Sequence, residues 1–432
     1  MKTPGTLLLT CIFLWPLTGC AQEKRPNSLP ATPAVERPTS MWLTAYYGTY
    51  SDGGANAMPP HEVNWEGITH VIHFGMNATT TPPYFTPLTT PDDSIALFWG
   101  MKGVWNKEYT YSVLDTLKKY ARGSKLLLAS GGAYGEGANA LSWILADPGR
   151  AETYASTVCS FARRHGYDGL ELDWEPVFSS EPESRIQAKM SLLIRLMRKG
   201  LDTWKPRGIL SIATTTGVEK RYDPEIQDMV DQYNIMCYDL HQSPGWHGRD
   251  VTGFNAPLRP PDRNTYPILS RFNYNLEGIV DGDERVSGPK AMMANGIRPW
   301  KIGVGLPFFG YVYSGNDAPG QRRIGTAQFV SYEQVIRSLG AGGQWHWDET
   351  TKSPWVGGTI EGTFEPPFPA AGERFFVTYD DSASIAEKIA WTKSLGLGGV
   401  MVFDLWRGWD AKAQPSRREP LLRSAVRALN AR

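Results

Sequence analysis

Eight short runs rich in apolar and β-branched residues recur along this chain, separated by longer stretches with helical spacing. They are WLTAYY (42–47), ITHVIHF (68–74), KLLLAS (125–130), YDGLELDWE (167–175), ILSIATT (209–215), YNIMCYD (233–239), KIGVGLP (301–307) and GVMVFDL (399–405). Between the fourth and fifth runs, Ile186, Met190, Leu193, Ile194, Met197 and Leu201 form the stripe of an amphipathic helix. Eight strands alternating with helices predict an α/β fold, a (β/α)8 TIM barrel, over an open doubly wound sheet, which more often has about five or six strands. The 432 residues exceed a plain barrel, so insertions are required. Residues 240–300 are rich in Pro, Gly and Asn, and 311–381 carry strand-like pieces of their own. The second is long enough to be a small subdomain between the seventh strand and the following helix, with the barrel formed by 41–310 and 382–430.

The fourth run is the anomaly. YDGLELDWEP, Tyr167 to Pro176, sets four acidic residues in an otherwise apolar strand. Alternate side chains on a strand share a face. Glu171, Asp173 and Glu175 therefore point one way, and Leu170, Leu172 and Trp174 the other; Asp168 has the opposite parity and stands where the strand starts. In a barrel the apolar set faces the helices, which stacks three carboxylates toward the interior and the C-terminal rim, where such barrels keep their sites. Same-face neighbours lie about 6.7 Å apart, and burying like charges at that spacing is costly. At least one carboxyl should hold a proton at neutral pH, and a protonated acid at the rim is what glycoside cleavage needs. An edge strand with a solvated acidic face is the alternative, disfavoured by the apolar opposite face.

The N-terminus, MKTPGTLLLTCIFLWPLTGC, has one Lys and then an apolar run from about Leu7 to Leu17, too short for a spanning helix and suited to an export signal. Small residues directly before Cys20 resemble the lipobox of bacterial lipoproteins. That resemblance implies a signal peptide over 1–19, lipid on the Cys20 thiol and, with Ala21 next, the outer membrane as destination. Residues 21–40 are rich in Pro, Ser and charge and complete a flexible tether over 20–40. Cys159 and Cys237 sit inside apolar elements, where two buried thiols are as plausible as a disulfide. Lys and Arg number 44 against 44 Asp and Glu, which removes the electrostatic argument for nucleic acid as a partner.

The acidic strand also carries a resemblance. DGLELDWE resembles the DGxDxDxE motif of glycoside hydrolase family 18, the chitinases and endo-β-N-acetylglucosaminidases: Asp168, Gly169, Asp173, Trp174 and Glu175 match it and Glu171 departs from it. LLLASGG with Gly131 and Gly132 is similar to the family's third strand, and MCYD with Met236, Tyr238 and Asp239 to its sixth. VGLPFFG (304–310) and TYDD, with Tyr379 and Asp380, resemble the ends of the family's α+β insertion. The resemblance implies Glu175 as general acid and then base, with the substrate's own 2-acetamido oxygen as nucleophile. It gives Asp173 the orientation of that acetamido group, Tyr238 a second hydrogen bond to it, and Glu171, Asp168 and Asp239 supporting parts. Tyr46, Tyr134, Met236, Phe403 and Trp406 are the expected sugar contacts. The family's floor tryptophan has Phe403 at its position, with Trp406 three residues on as a substitute; likewise Tyr134 follows Ala133 where the family often has an aromatic.

The remaining motifs read more plainly. GGAYGEG (131–137) lacks the Lys of a phosphate loop and reads as a turn before a helix. His241 and His247 beside Asp239 fit no metal-binding spacing and read as a polar loop. WHWD (345–348) is expected to wall the groove or to pack the insertion's own core. No cofactor and no metal are called for. The expectation is an exported, lipid-anchored, monomeric glycosidase cutting β-1,4 bonds next to N-acetylglucosamine in chitin or chitooligosaccharides. Peptidoglycan and N-glycan cores are the runners-up, and an inactive carbohydrate-binding protein on the same barrel is the alternative from another class. The membrane would be met through the lipid only.

Overall fold

The computed structural model describes residues 40–48, 57–80, 82, 85–87, 107–132, 135–176, 181–241, 250–271, 275–277, 288–325 and 327–431. Tyr134, His247 and Cys20, with the expected signal and all of the expected tether but Ser40, lie outside them. Eight parallel strands form the barrel: Trp42–Gly48, His70–Ala78, Lys125–Gly132, Gly169–Trp174, Ile209–Thr215, Gln232–Met236, Ile302–Pro307 and Gly399–Phe403. Each pairs with the next, and the first pairs with both the second and the last, which closes the sheet. All eight fall on the expected runs.

The strand ends shift for local reasons. The second starts at His70 rather than Ile68, and just before it Thr69 bonds Leu43 twice, its N–H donating to the Leu43 carbonyl at 2.9 Å and its hydroxyl taking the Leu43 N–H at 3.0 Å. The sixth stops at Met236 because Asp239 adopts φ 61°, a left-handed conformation that turns the chain out of the sheet.

Helices cover the barrel's outside, and Ile186, Met190, Leu193, Ile194, Met197 and Leu201 on Glu183–Leu201 are all buried. Leu170, Leu172 and Trp174 join that core, as their parity requires. The interior is polar at its N-terminal end. There Thr44 Oγ1 donates to Gln232 Oε1 at 2.8 Å, Asn234 Nδ2 to Ser211 Oγ at 3.0 Å, and Trp42 Nε1 to Asn234 Oδ1 at 3.2 Å. Gly303 leaves room for that plug: a Cβ there would lie 2.3 Å from Asn234 Oδ1. With these donors paired inside a closed sheet, the base of the barrel is a satisfied network.

Between the seventh strand and helix Ser382–Ser394 lies a separate antiparallel sheet, in the order Ala327–Ser331, Phe309–Ser314, Arg374–Thr378, Ser353–Thr359 and Gly343–Asp348. Helix Tyr332–Leu339 covers one face, started by a capping box in which the Ser331 hydroxyl takes the Gln334 N–H and the Gln334 side chain takes the Ser331 N–H. The sheet begins at Phe309, one residue after the barrel strand ends, so Val304 to Ser314 run almost continuously from barrel to insertion. Asp380, just past the last insertion strand, is clamped by Lys388 of the following helix, whose Nζ donates to both carboxylate oxygens at 2.5 Å with both residues buried.

Candidate active site

The acidic column forms as the parity predicts. Glu171 and Asp173 are 1% and 7% exposed inside the barrel, and Glu175 stands half-buried just beyond the strand's end. The neighbouring third strand can approach because Gly131, opposite Asp173, has no side chain: its φ is 138°, and a Cβ would lie 2.1 Å from the Asp173 carbonyl oxygen.

Tyr46, from the first strand, donates its hydroxyl to Glu171 Oε1 at 2.9 Å. Asp173 Oδ1 is buried with no hydrogen-bond partner among the described residues. Tyr238 donates at 3.9 Å to the sulfur of Met401, a weak acceptor that leaves the hydroxyl most of its donating capacity. Asp239 accepts a 2.7 Å bond from the Tyr311 hydroxyl.

Burial governs the protonation of this cluster. Glu171 is pushed up to about 8 by burial, against the stabilising bond from Tyr46. Burial likewise lifts Asp173 to about 7 and, against the Tyr311 bond, Asp239 to about 7. Glu175 is held well above the carboxylate range, first by burial and then by the negative charges of Asp173 and Asp239. Tyr46 and Tyr238 are pushed higher still from the phenol range, so both remain hydrogen-bond donors. The arrangement supplies a protonated carboxylic acid at the rim, a second carboxyl about 6.7 Å behind it along the strand, and a tyrosine donor. No group of three or more His, Cys, Asp or Glu among the described residues could hold a metal ion.

Phe403, where the resemblance puts the aromatic floor, is the last residue of the eighth strand. Its ring meets Tyr46 edge-on at 5.3 Å, stacks near Tyr238 at 6.0 Å and meets Phe309 at 6.3 Å. Trp406 lies in the turn Trp406–Gly408, with the Arg407 guanidinium 4.7 Å over its ring, where the turn packs against helix Tyr332–Leu339. Met236 ends the sixth strand, half-buried and level with Thr215.

Asp168 is corrected. Its carboxylate takes the Leu126 N–H at 2.9 Å and the Lys125 ammonium at 3.1 Å, tying the third and fourth strands together at their N-terminal ends. Five residues of strand, about 16 Å, separate it from Asp173, so it does not stand behind that carboxyl. WHWD divides by strand parity. Trp345, 51% exposed, pairs with Val356 on the helix-bearing face of the insertion sheet, whereas His346 stacks on Trp355 at 3.9 Å on the opposite face. Cys159 and Cys237 are buried free thiols.

Tyr311 is a site residue the sequence reading passed over. Phe309, Tyr311 and Tyr313 alternate in FFGYVYS, a period-2 aromatic stripe that could have marked one strand face turned to the barrel. Asn255, which accepts the Asp239 N–H at 2.9 Å, carries no local signal.

Comparison with known proteins agrees with this geometry. The family model described as glycosyl hydrolases family 18 matches residues 43–407. A probable chitinase 2 of Drosophila melanogaster is 28% identical over 318 residues, covering 68% of this chain; the chain spans 58% of that relative's length. Among solved structures, a Group IV chitinase of Ostrinia furnacalis, crystallised with allosamidin, matches with a TM-score of 0.70 at 20% identity, over 90% of this chain and 99% of that one. Human YKL-39, described as a pseudo-chitinase with retained chitooligosaccharide binding, matches with a TM-score of 0.69 at 19% identity, over 91% of this chain and 100% of that one. These two likenesses concern the fold, a (β/α)8 barrel with an antiparallel insertion. With the family model matched from the first barrel strand to the turn after the last, this chain belongs to family 18 of the glycosyl hydrolases.

Proposed function

We propose that the protein hydrolyses β-1,4 linkages next to N-acetylglucosamine, in chitin or chitooligosaccharides, with retention of configuration. The observation that carries this reading is the place of Glu175 at the barrel rim, two residues beyond buried Asp173 on the same face of the strand, where burial and the charges of Asp173 and Asp239 push its carboxyl up. Glu175 gives its proton to the glycosidic oxygen as the bond from C1 breaks. The substrate's 2-acetamido oxygen attacks C1 from the opposite side and forms an oxazolinium ion. Asp173 orients the acetamido N–H and stabilises its developing positive charge, and the Tyr238 hydroxyl donates to the acetamido oxygen. Glu175, now ionised, takes a proton from water as that water opens the ring at C1. Two inversions return the original configuration, and the acid is regenerated.

The lipobox-like run ending in Cys20 supports an exported enzyme held to a bacterial outer membrane by lipid alone. Among the described residues no helix is long and apolar enough to cross a membrane. A monomer with no cofactor suffices for the chemistry, and nucleic acid is not a partner in this reading. Peptidoglycan and N-glycan cores offer the same acetamido group. A binding protein without turnover is a second reading, favoured by the fold's likeness to YKL-39 and opposed by the presence of Glu175, Asp173 and Tyr238 together.

The test is product formation by the protein lacking residues 1–20 on chitooligosaccharides, peptidoglycan and a high-mannose glycoprotein, compared with Glu175→Gln. Turnover by the wild type and a loss of at least about 100-fold in the variant are expected. Equal turnover by both would remove the acid assignment, and binding without turnover on any substrate would favour the second reading.

A further inference from the structure

Asp239 is one of two non-glycine residues with positive φ among the described residues, at 61°. A left-handed conformation is uncommon for a residue with a Cβ, though Asp adopts it more readily than most, and here neighbours hold it. Asn255 does most of the holding. Its Oδ1 accepts the Asp239 N–H at 2.9 Å, and its backbone carbonyl accepts the Leu240 N–H at 3.0 Å. The carboxamide orientation follows, since only the oxygen can accept from an N–H. Nδ2 is buried and finds no acceptor among the described residues, so the side chain is fixed through its oxygen alone.

Asn255 is in turn anchored on the insertion. Its N–H donates to Thr378 Oγ1 at 2.8 Å, and Thr378 is 1% exposed at the end of strand Arg374–Thr378. Thr378 is the cross-strand partner of Tyr311, whose hydroxyl donates to Asp239 Oδ1. One register position of the insertion sheet therefore grips the corner twice. It holds the carboxylate directly through Tyr311 and the backbone through Thr378 and Asn255.

We propose that Asn255 and Thr378 are positioning residues, through which the insertion sheet fixes the Tyr238–Asp239 corner and with it the charge facing Glu175. The proposal rests on the hydrolase reading for its kinetic consequence. The groups that face Asp239 are Glu175 from just past the fourth strand, Tyr238 from its own corner, and Tyr311 and Tyr313 from the insertion. The sign follows from these. The Asp239 charge favours the protonated form of Glu175, so a corner that relaxes away from Glu175 lets the acid lose its proton at lower pH.

Thr378→Val keeps the branched shape and removes the acceptor for the Asn255 N–H, and Thr378→Ser restores that acceptor. On a chitooligosaccharide, the alkaline limb of the kcat/KM profile of Thr378→Val should move to lower pH by about half a unit or more, with kcat down about tenfold and KM within about twofold. Asn255→Ala should shift it the same way, and Thr378→Ser should return the wild-type profile. A lowered melting temperature with a superimposable profile would mean that both residues only stabilise the loop, and would overturn the proposal. Carboxyl 13C NMR titration of wild type and Thr378→Val tests the corner independently of turnover. The Glu175 midpoint should fall in the variant, and an unchanged midpoint overturns the proposal. A wild type that titrates as expected but turns over nothing would instead overturn the hydrolase reading.

Discussion

Replacing Glu171 by Gln should make the protein more stable at alkaline pH, and the structure sets the size of the effect. Glu171 is 1% exposed and burial holds its carboxyl protonated up to about 8, against an ordinary 4.5. The unfolded chain releases that proton near 4.5, whereas the folded protein keeps it until about 8. Between those values the folded state binds more protons than the unfolded one, so stability falls as pH rises. At about 1.4 kcal/mol per pH unit, one such carboxyl costs the fold about 5 kcal/mol by pH 8. Gln has the size of the protonated acid, carries no proton to lose, and presents an oxygen to the Tyr46 hydroxyl that now lies 2.9 Å from Oε1. The assay is urea unfolding of wild type and Glu171→Gln at pH 5, 6, 7 and 8. The two should agree within about 1 kcal/mol at pH 5 and diverge in favour of the variant by several kcal/mol at pH 8. Parallel pH dependences would refute the reasoning, because they would mean that Glu171 is ionised in the folded protein and its charge is compensated by something other than a proton.

Lys388→Met should destabilise the fold by about 3–5 kcal/mol, because it leaves the buried Asp380 carboxylate without its partner; a denaturant midpoint close to wild type at pH 7 would contradict the ion pair. Gly131→Ala places a Cβ 2.1 Å from the Asp173 carbonyl at a backbone φ of 138°. It should push the third strand off the acid-bearing strand and cost more than about 2 kcal/mol together with most turnover, and a variant with normal midpoint and rate would show that the strands can part without disturbing Asp173.

The barrel was legible because its evidence is local. A strand declares itself by β-branched residues and a helix by its stripe, and both signals lie within about ten residues of chain. The carboxylate column was legible for the same reason: parity alone separates Glu171 and Asp173, buried inside the barrel, from Leu170 and Leu172, packed under the helices. Asp168 was misread where motif membership overrode parity. It belongs to the same short sequence as Asp173, but its side chain closes the foot of the strand with Lys125 and Leu126. What the sequence hid was the second half of the site. Asp239 is gripped from 72 residues away by Tyr311 and, through Asn255, from 123 residues beyond that by Thr378. No periodicity links those positions. They meet because a sheet inserted after the seventh strand folds back over the corner after the sixth, and its register sets Tyr311 beside Thr378. Glu175 thus stands at the end of one strand, while the Asp239 carboxyl is gripped by a separate sheet. A change in the insertion that leaves every residue of YDGLELDWEP untouched should still alter how tightly Glu175 holds its proton.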